Sequence, residues 1–415
     1  MNHQRRVVIT GMGTLNPLGL TADESWKNAL AGVSAVGPIT LFDSSPLQVH
    51  IAAEIKGFDP AQYMDAKEAR RRDRVAQLAI AASREAVQQS GLTIDADLSD
   101  DLSVYIGTGV GGIGSLLEAA KVVMQEGPRR ISPFVIPMVL DDGPSSAVAI
   151  EYQARGMNFA PITACAAGSD ALGLAVRAIQ RSEARVILAG GAEAPIAYIA
   201  MAAFDRTGAC ARRNDDPQHA SQPFDKNRTG LVFGEGAALF VLEDLEFALA
   251  RGATPLAEIA GYGATSDAYH MTAPLEDGSG AARAMKKALR DAGLTIHDVD
   301  WISAHGTATP LNDRMETLAI KSVFGEPAYN IPISGTKSMT GHIMGATGAI
   351  EVVWCVKAIH NGVIPPTINY QTPDPELDLD YTPNQARQRK VDVALTNAFG
   401  FGGHNSALII KRYAG

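Results

Sequence analysis

Cysteine is scarce in this chain of 415 residues. Cys165, Cys210 and Cys355 are the only three, and they lie far apart with no CxxC pair. So odd and sparse a set excludes a disulfide scaffold and fits a reducing compartment. Long apolar runs are missing as well. No stretch reaches 18 apolar residues, which argues against a membrane-spanning helix, and the opening run Val7-Val8-Ile9 is too short for the core of a signal peptide. The expectation is a cytoplasmic protein. Positive charge is not in excess either: the net charge of −9 argues against a nucleic-acid surface. No linker-like or low-complexity segment divides the chain.

What is present is an ordinary globular composition, 46% hydrophobic and 20% charged, enough for a large buried interior. Glycine is plentiful, and pairs such as Gly111-Gly112 and Gly402-Gly403 mark tight turns and close backbone approach. Short β-branched runs alternate with longer helical patterns, the α/β signature. Strands are predicted at Val7–Thr10, Leu102–Ile106, Val186–Ala189 and Ala238–Leu242. Helices are predicted over Asp73–Ser90, with Gly91 as C-cap, and over Gly278–Ala292, ending at Gly293.

The two halves echo each other. Gly168-Ser169-Asp170-Ala171 runs on to Ala178-Ile179, and Gly348-Ala349-Ile350-Glu351 runs on to Ala358-Ile359. Val104-Tyr105-Ile106-Gly107-Thr108-Gly109 resembles Trp301-Ile302-Ser303-Ala304-His305-Gly306. Gly236–Val241 resembles Asn405–Ile410. The pattern points to a duplicated α/β unit with its boundary near residues 250–258, giving halves 1–253 and 254–415. Chance similarity between two generic strand–helix units is the competing reading.

Three glycine- and hydroxyl-rich turns hold reactive residue types. Cys165, in Thr163-Ala164-Cys165-Ala166-Ala167-Gly168-Ser169, stands where a strand ends and a helix begins. Unpaired N–H groups and the helix dipole there favour thiolate, so the expectation is a nucleophile usable near neutral pH. A buried structural cysteine is the bland alternative. His305 sits in Ala304-His305-Gly306-Thr307-Ala308-Thr309-Pro310, and His342 in Lys337-Ser338-Met339-Thr340-Gly341-His342. Cys plus two His is a zinc ligand set, but none of the close ligand spacings is present. A Cys/His hydrolase stays open at this point, although it needs water where a condensing enzyme must exclude it. The turn Phe399-Gly400-Phe401-Gly402-Gly403-His404-Asn405 can offer a backbone N–H to an oxyanion. The basic run from Lys67 through Arg70, Arg71 and Arg72 to Arg74 is either a solvated helix face or a dock for an acidic carrier.

Together these motifs resemble the β-ketoacyl-acyl carrier protein synthases of the thiolase superfamily, the KAS II type in particular. The resemblance covers nearly the whole chain. It rests on Thr163-Ala164-Cys165, Gly190-Gly191-Ala192-Glu193, Pro223-Phe224-Asp225, His305–Thr309, Lys337–His342 and Phe399–Asn405, in that order. It implies a thiolase-like α/β fold, two copies of a five-stranded sheet in α-β-α-β-α layers, assembled as a dimer. It implies an acyltransferase with Cys165 acylated, an oxyanion hole made by the N–H groups of Cys165 and Phe401, and His305 and His342 on the malonyl thioester. Lys337, Glu351 and Asp313 would support the site, Thr307 and Thr309 would hold the pantetheine arm, and Val110 and Val135 would line the acyl pocket. Lys67, Arg70, Arg71 and Arg72 would dock the acyl carrier protein. No metal and no cofactor is implied; the substrates ride on the carrier's phosphopantetheine.

Arg213–Ser221, Asn312–Thr317 and Asp378–Tyr381 also resemble the ketosynthase α subunits of type II polyketide systems, which act with a chain-length factor. A thiolase would want a second catalytic cysteine, and a non-catalytic scaffold subunit would not keep Cys165, His305 and His342. Two departures stand out. Ala166-Ala167 replaces the usual hydroxyl residues. In Asp141-Asp142-Gly143-Pro144 the proline starts or breaks a helix, and the two acids make the surroundings more polar.

Overall fold

The apolar run beginning at Val7 opens the strand Val7–Leu15, buried along its whole length. The structure is a computed structural model that describes residues 5–415; residues 1–4 lie outside the described residues. Four more strands complete the first half's share of the large sheet: Leu102–Gly107, Asn158–Phe159, Val186–Glu193 and Gly236–Asp244. The second half has Ala257–Ser266, Trp301–Ser303, Ile333–Ser334, Val393–Gly400 and His404–Lys411. Each of the four predicted strands falls inside an observed one.

In both halves the order across the sheet is third, second, fourth, fifth, first. The pairing sense repeats too. The second strand runs parallel to the third and fourth, and the fifth runs antiparallel to the fourth and first. The echoes read in the chain are thus a duplicated fold. The two five-stranded units are not separate sheets. Val8 pairs with Glu258 and Ile9 with Ala257, which joins them edge to edge into one ten-stranded sheet.

Helices complete the layers. Ala167–Gln180 and Thr347–Asn361 are buried at nearly every position, as expected for helices apolar all round. They share one core with Tyr105 and Ile187 of the first half and Trp301 and Leu408 of the second, so they lie between the two. Helix Arg74–Ser90 covers the other face of the first half. Asp73, predicted as its first residue, caps it instead, and Gly91, at φ 61°, closes it as predicted. Helix Ser279–Asp291 covers the second half, starting one residue after the predicted Gly278. Each outer helix lies directly on a glycine pair of the first strand. A Cβ on Gly11 or Gly13 would run into the Ala86 or Ala82 carbonyl, and one on Gly261 or Gly263 into that of Ala288 or Ala284. The result is the α-β-α-β-α arrangement.

This architecture positions the chemistry. In each half the chain leaves the third strand and enters a central helix through a one-turn 3-10 segment, Ala164–Ala166 or Met344–Ala346. Both turns begin on a non-glycine residue with positive φ, Ala164 at 51° and Met344 at 39°.

Candidate active site

Cys165 is the middle residue of the first turn, and only 8% of it is exposed. Its Sγ lies 3.0 Å from His342 Nε2. The N–H groups of Phe401 and of Cys165 itself reach the same sulfur. Gly400 makes this approach possible, because a Cβ there would stand 2.8 Å from the Thr163 carbonyl and 3.0 Å from Cys165 N. The chain alone predicts a thiolate here. Against the helix start stands burial, which with the Glu193 carboxylate pushes the Cys165 thiol up to about 12, opposed by the Lys337 cation and the two N–H groups. Loss of solvation outweighs the helix start, so the resting group is a thiol. His342 Nε2 is within reach to take its proton.

His305 and His342 are both fully enclosed, with rings perpendicular and centroids 5.3 Å apart. Burial, with Lys337 beside them, holds both imidazoles well below their usual range, so both are neutral at pH 7. The Thr347 hydroxyl is 3.1 Å from His342 Nδ1. A hydroxyl can donate or accept, so it supports either ring tautomer: Nε2 can accept from the thiol or donate to a substrate oxygen. Lys337 Nζ meets Glu351 Oε1 at 2.6 Å, both 1% exposed. Burial pushes the Glu351 carboxyl up and the Lys337 ammonium pulls it back.

A cavity of about 310 Å³ opens onto this cluster. Thr307 and Thr309 line it with hydroxyls 2.9 Å apart, as do Phe399, Phe401 and Met344. Asp313 is fully buried one step further out. Its carboxylate takes the Phe224 N–H at 2.7 Å, and burial pushes it up to about 6. The Phe224 ring lies behind Gly306, next to His305. Val110 does not line this cavity; it packs against the apolar cluster that includes Met344 and Phe233. Val135 lines a different cavity, with Arg72, Met138 and Tyr198, because its helix lies on Ile113–Glu126 instead of turning inward. Cys210, by contrast, does line the Cys165 cavity, and burial pushes its thiol up to about 12.

The basic run is split by its own acid. Glu68 holds Arg71 at 3.0 Å and Arg72 at 2.6 Å, and Arg71 also lies over the Phe134 ring. Lys67 and Arg70 remain exposed. Ala166 and Ala167 are fully buried, so hydroxyls there would need buried partners. Pro144 starts the helix Gly143–Glu151, and burial together with Asp142 pushes the Asp141 carboxyl up.

Sequence reasoning assigns no role to Thr347, Glu193 or Glu316. Glu316 accepts the N–H groups of His305 and Gly306, each at 2.8 Å, and so fixes the histidine turn. Glu193 closes the motif Gly190–Glu193, which is the only signal for it in the chain.

The chain matches family models described as "Beta-ketoacyl synthase, N-terminal domain" over residues 4–248 and "Beta-ketoacyl synthase, C-terminal domain" over residues 256–371. It is 48% identical over 410 residues to "3-oxoacyl-[acyl-carrier-protein] synthase 2" of Synechocystis sp., with 99% of each chain covered. It is 47% identical over 413 residues to the protein of the same name from Staphylococcus aureus, with 100% of each covered. Among solved structures, the ishigamide ketosynthase/chain length factor superposes with a TM-score of 0.92 at 37% identity. A type II polyketide acyl-carrier protein in complex with its hexaketide-bound ketosynthase gives 0.91 at 34% identity. Both matches cover 99% of this chain and 100% of the other.

Proposed function

This chain belongs to the β-ketoacyl synthase family, and from that premise we propose that it extends a carrier-bound acyl chain by decarboxylative Claisen condensation, with the growing chain held on Cys165. The observation that carries the reading is Cys165 Sγ at 3.0 Å from His342 Nε2, with two backbone N–H groups on the same sulfur.

In the first half-reaction the sulfur attacks an acyl thioester of the carrier. Its proton passes by way of His342 Nε2 to the departing pantetheine sulfur, leaving Cys165–S–acyl and a free carrier thiol. The oxyanion of the tetrahedral intermediate forms beside the Cys165 and Phe401 N–H groups. In the second, a malonyl thioester enters between the histidines. The C–C bond to its carboxylate breaks, CO₂ leaves, and the electron pair becomes an enolate whose oxygen accepts from Nε2–H of His305 and His342. Neutral imidazoles suit this task, since they donate without repelling Lys337. The enolate carbon attacks the acyl carbonyl, the new C–C bond forms, and the Cys165 thiolate leaves and takes up a proton from solvent, the one proton the overall reaction consumes.

The partner is an acyl carrier protein, whose pantetheine arm Thr307 and Thr309 receive in the cavity mouth. A second protein chain covers the face around the open edge strand Asn158–Phe159. Ile136, Ile150 and Met157 there are 69%, 68% and 56% exposed, an apolar exposure that marks protein contact. That chain is either a second copy or a homologous chain-length factor of the kind named for a solved relative. Among the described residues no helix is long and apolar enough to cross a membrane, and the three free cysteines suit a cytoplasmic setting.

Mass spectrometry after incubation with acyl carrier thioester and then malonyl carrier thioester tests the reading. The Cys165 peptide should carry the acyl mass and lose it when malonyl thioester is added. Condensation that continues in Cys165→Ala would sink it. The mass of the acyl group trapped on Cys165 in cells separates a fatty-acid chain from a polyketide one.

A further inference from the structure

The duplicated sheet lets residues of one half be matched to the other by register. Ile106 faces Gly190 across the second and fourth strands of the first half, as Ser303 faces Thr396 in the second. Two residues beyond Ile106 is Thr108; two beyond Ser303 is His305. Three beyond Gly190 is Glu193; three beyond Thr396 is Phe399. The fifth strands agree, since Glu193 faces Gly236 and Phe399 faces Asn405. The 3-10 turns match Cys165 with Gly345. The active-site trio Cys165, His305 and Phe399 therefore has a counterpart on the other side of the molecule: Gly345, Thr108 and Glu193.

In the active site this arrangement encloses a cavity, with Phe399 edge-on to His305 at 5.5 Å. In the counterpart a carboxylate fills the space. Glu193 is fully buried and accepts four hydrogen bonds: Thr108 Oγ1 at 2.9 Å and Val110 N at 3.2 Å on one oxygen, Gly109 N at 2.5 Å and Gly345 N at 2.9 Å on the other. All four donors are neutral, and burial pushes the carboxyl up to about 7. The turns close on it so tightly that a Cβ on Gly109 or on Gly345 would stand 2.8 Å from Oε2. Gly345 follows Met344, which lines the Cys165 cavity, and precedes Thr347, which holds His342.

We propose that Glu193 is a positioning residue that plugs the pseudo-symmetric counterpart of the active site and, through the Gly345 and Gly109 N–H groups, holds His342 and Met344 in the geometry malonyl decarboxylation needs. This rests on the condensing function proposed above. Glu193 touches no substrate. It acts across the middle of the molecule, from a strand of the first half onto a catalytic turn of the second.

The test separates two readouts in the full chain, decarboxylation of malonyl thioester and alkylation of Cys165 by iodoacetamide. Glu193→Ala should lower decarboxylation kcat about a hundredfold while alkylation does not fall, since the lost carboxylate helps to raise the Cys165 thiol. Added acetate or formate, which can enter the emptied site and accept the same N–H groups, should restore about tenfold. Wild-type decarboxylation in Glu193→Ala overturns the proposal. So does joint loss of both readouts without carboxylate rescue, since that marks a merely structural role. If Glu193→Ala does not fold, Glu193→Gln carries the test: an amide cannot accept from all four donors, and decarboxylation should fall about tenfold while alkylation does not fall. Unchanged decarboxylation in Glu193→Gln overturns the proposal. A wild-type protein that neither condenses nor decarboxylates malonyl thioester defeats the functional reading instead.

Discussion

Two turns of the same build open the two central helices, and they serve opposite ends. Beside the turn before Ala167–Gln180 two donors are left for a ligand: the N–H of Cys165, from that turn, and the N–H of Phe401, from the glycine turn near the C-terminus, reach only the cysteine sulfur at the edge of a cavity. The turn before Thr347–Asn361 has its Gly345 N–H taken by a buried carboxylate. Buried backbone groups are nearly always satisfied by the protein itself, so the place where they are not is where a ligand supplies what is missing. The duplication supplied the scaffold twice. Which copy became the acyl site was decided by which one the protein did not fill.

Equivalent substitutions at matched positions sharpen this contrast, and the largest effect belongs to the open side. His305→Ala removes a donor aimed at the enolate and should lower condensation kcat by about 10²–10³. Thr108→Val, at the matched position, takes one neutral bond from Glu193 and should cost about tenfold or less. Steady-state kinetics on both would break the comparison if Thr108→Val proved as damaging as His305→Ala. The turns should differ in packing as well. Gly345→Ala forces a Cβ to within 2.6 Å of Gly109 N and of Thr108 C and should cost about 1–3 kcal/mol of stability or more. Cys165→Ala, which keeps its Cβ and merely enlarges a cavity, should cost less. Urea unfolding of the pair measures the difference.

The plugged side should also reveal itself through pH. The Glu193 carboxyl rises from its ordinary 4.5 to about 7 in the folded protein. Such a group binds its proton more tightly when folded. Its contribution to stability is fully present below about pH 4.5 and is lost as pH climbs through 7. Over that window wild type should lose up to about 3 kcal/mol relative to Glu193→Gln, which does not titrate. Parallel stability–pH curves for the two proteins would mean that the site does not bury the carboxyl in this way.

Much of the architecture is legible in the chain alone, because strands and helices follow from periods of two and 3.6 that any window of ten residues displays. The convergence of Cys165, His305 and His342 follows from the family motifs, and the echoes around Gly168 and Gly348 already outline the duplication. Other features have no local trace. Glu316 and Glu193 bond backbone N–H groups, some of them 83 to 152 residues away, and a backbone donor has no letter in the sequence. The state of the Cys165 thiol escapes a local reading for a related reason. A helix start is a local property, whereas the burial that overrides it comes from elements hundreds of residues apart. Val135 matches a pocket position by its neighbours in the chain, yet its helix packs elsewhere.

The smallest expected effect lies outside both turns, on the basic run. Glu68 holds both Arg71 and Arg72, at 3.0 and 2.6 Å, so those two cations share a partner and part of their charge is already offset when an acidic carrier arrives. Arg70 is exposed, and its charge is available at the cost of ordering one side chain. Arg70→Glu should therefore raise the KM for carrier-bound malonyl thioester about three- to tenfold, and the effect should fade at high salt as screening shortens the reach of the charge. Arg71→Ala should change it about twofold or less. Neither should alter turnover of a malonyl thioester on a small pantetheine analogue, because the histidine pair and the Cys165 turn are untouched. An equal effect of Arg70→Glu on the small analogue would show that the run acts on the chemistry and not on delivery, and the division between a docking surface and two interior turns would have to be redrawn.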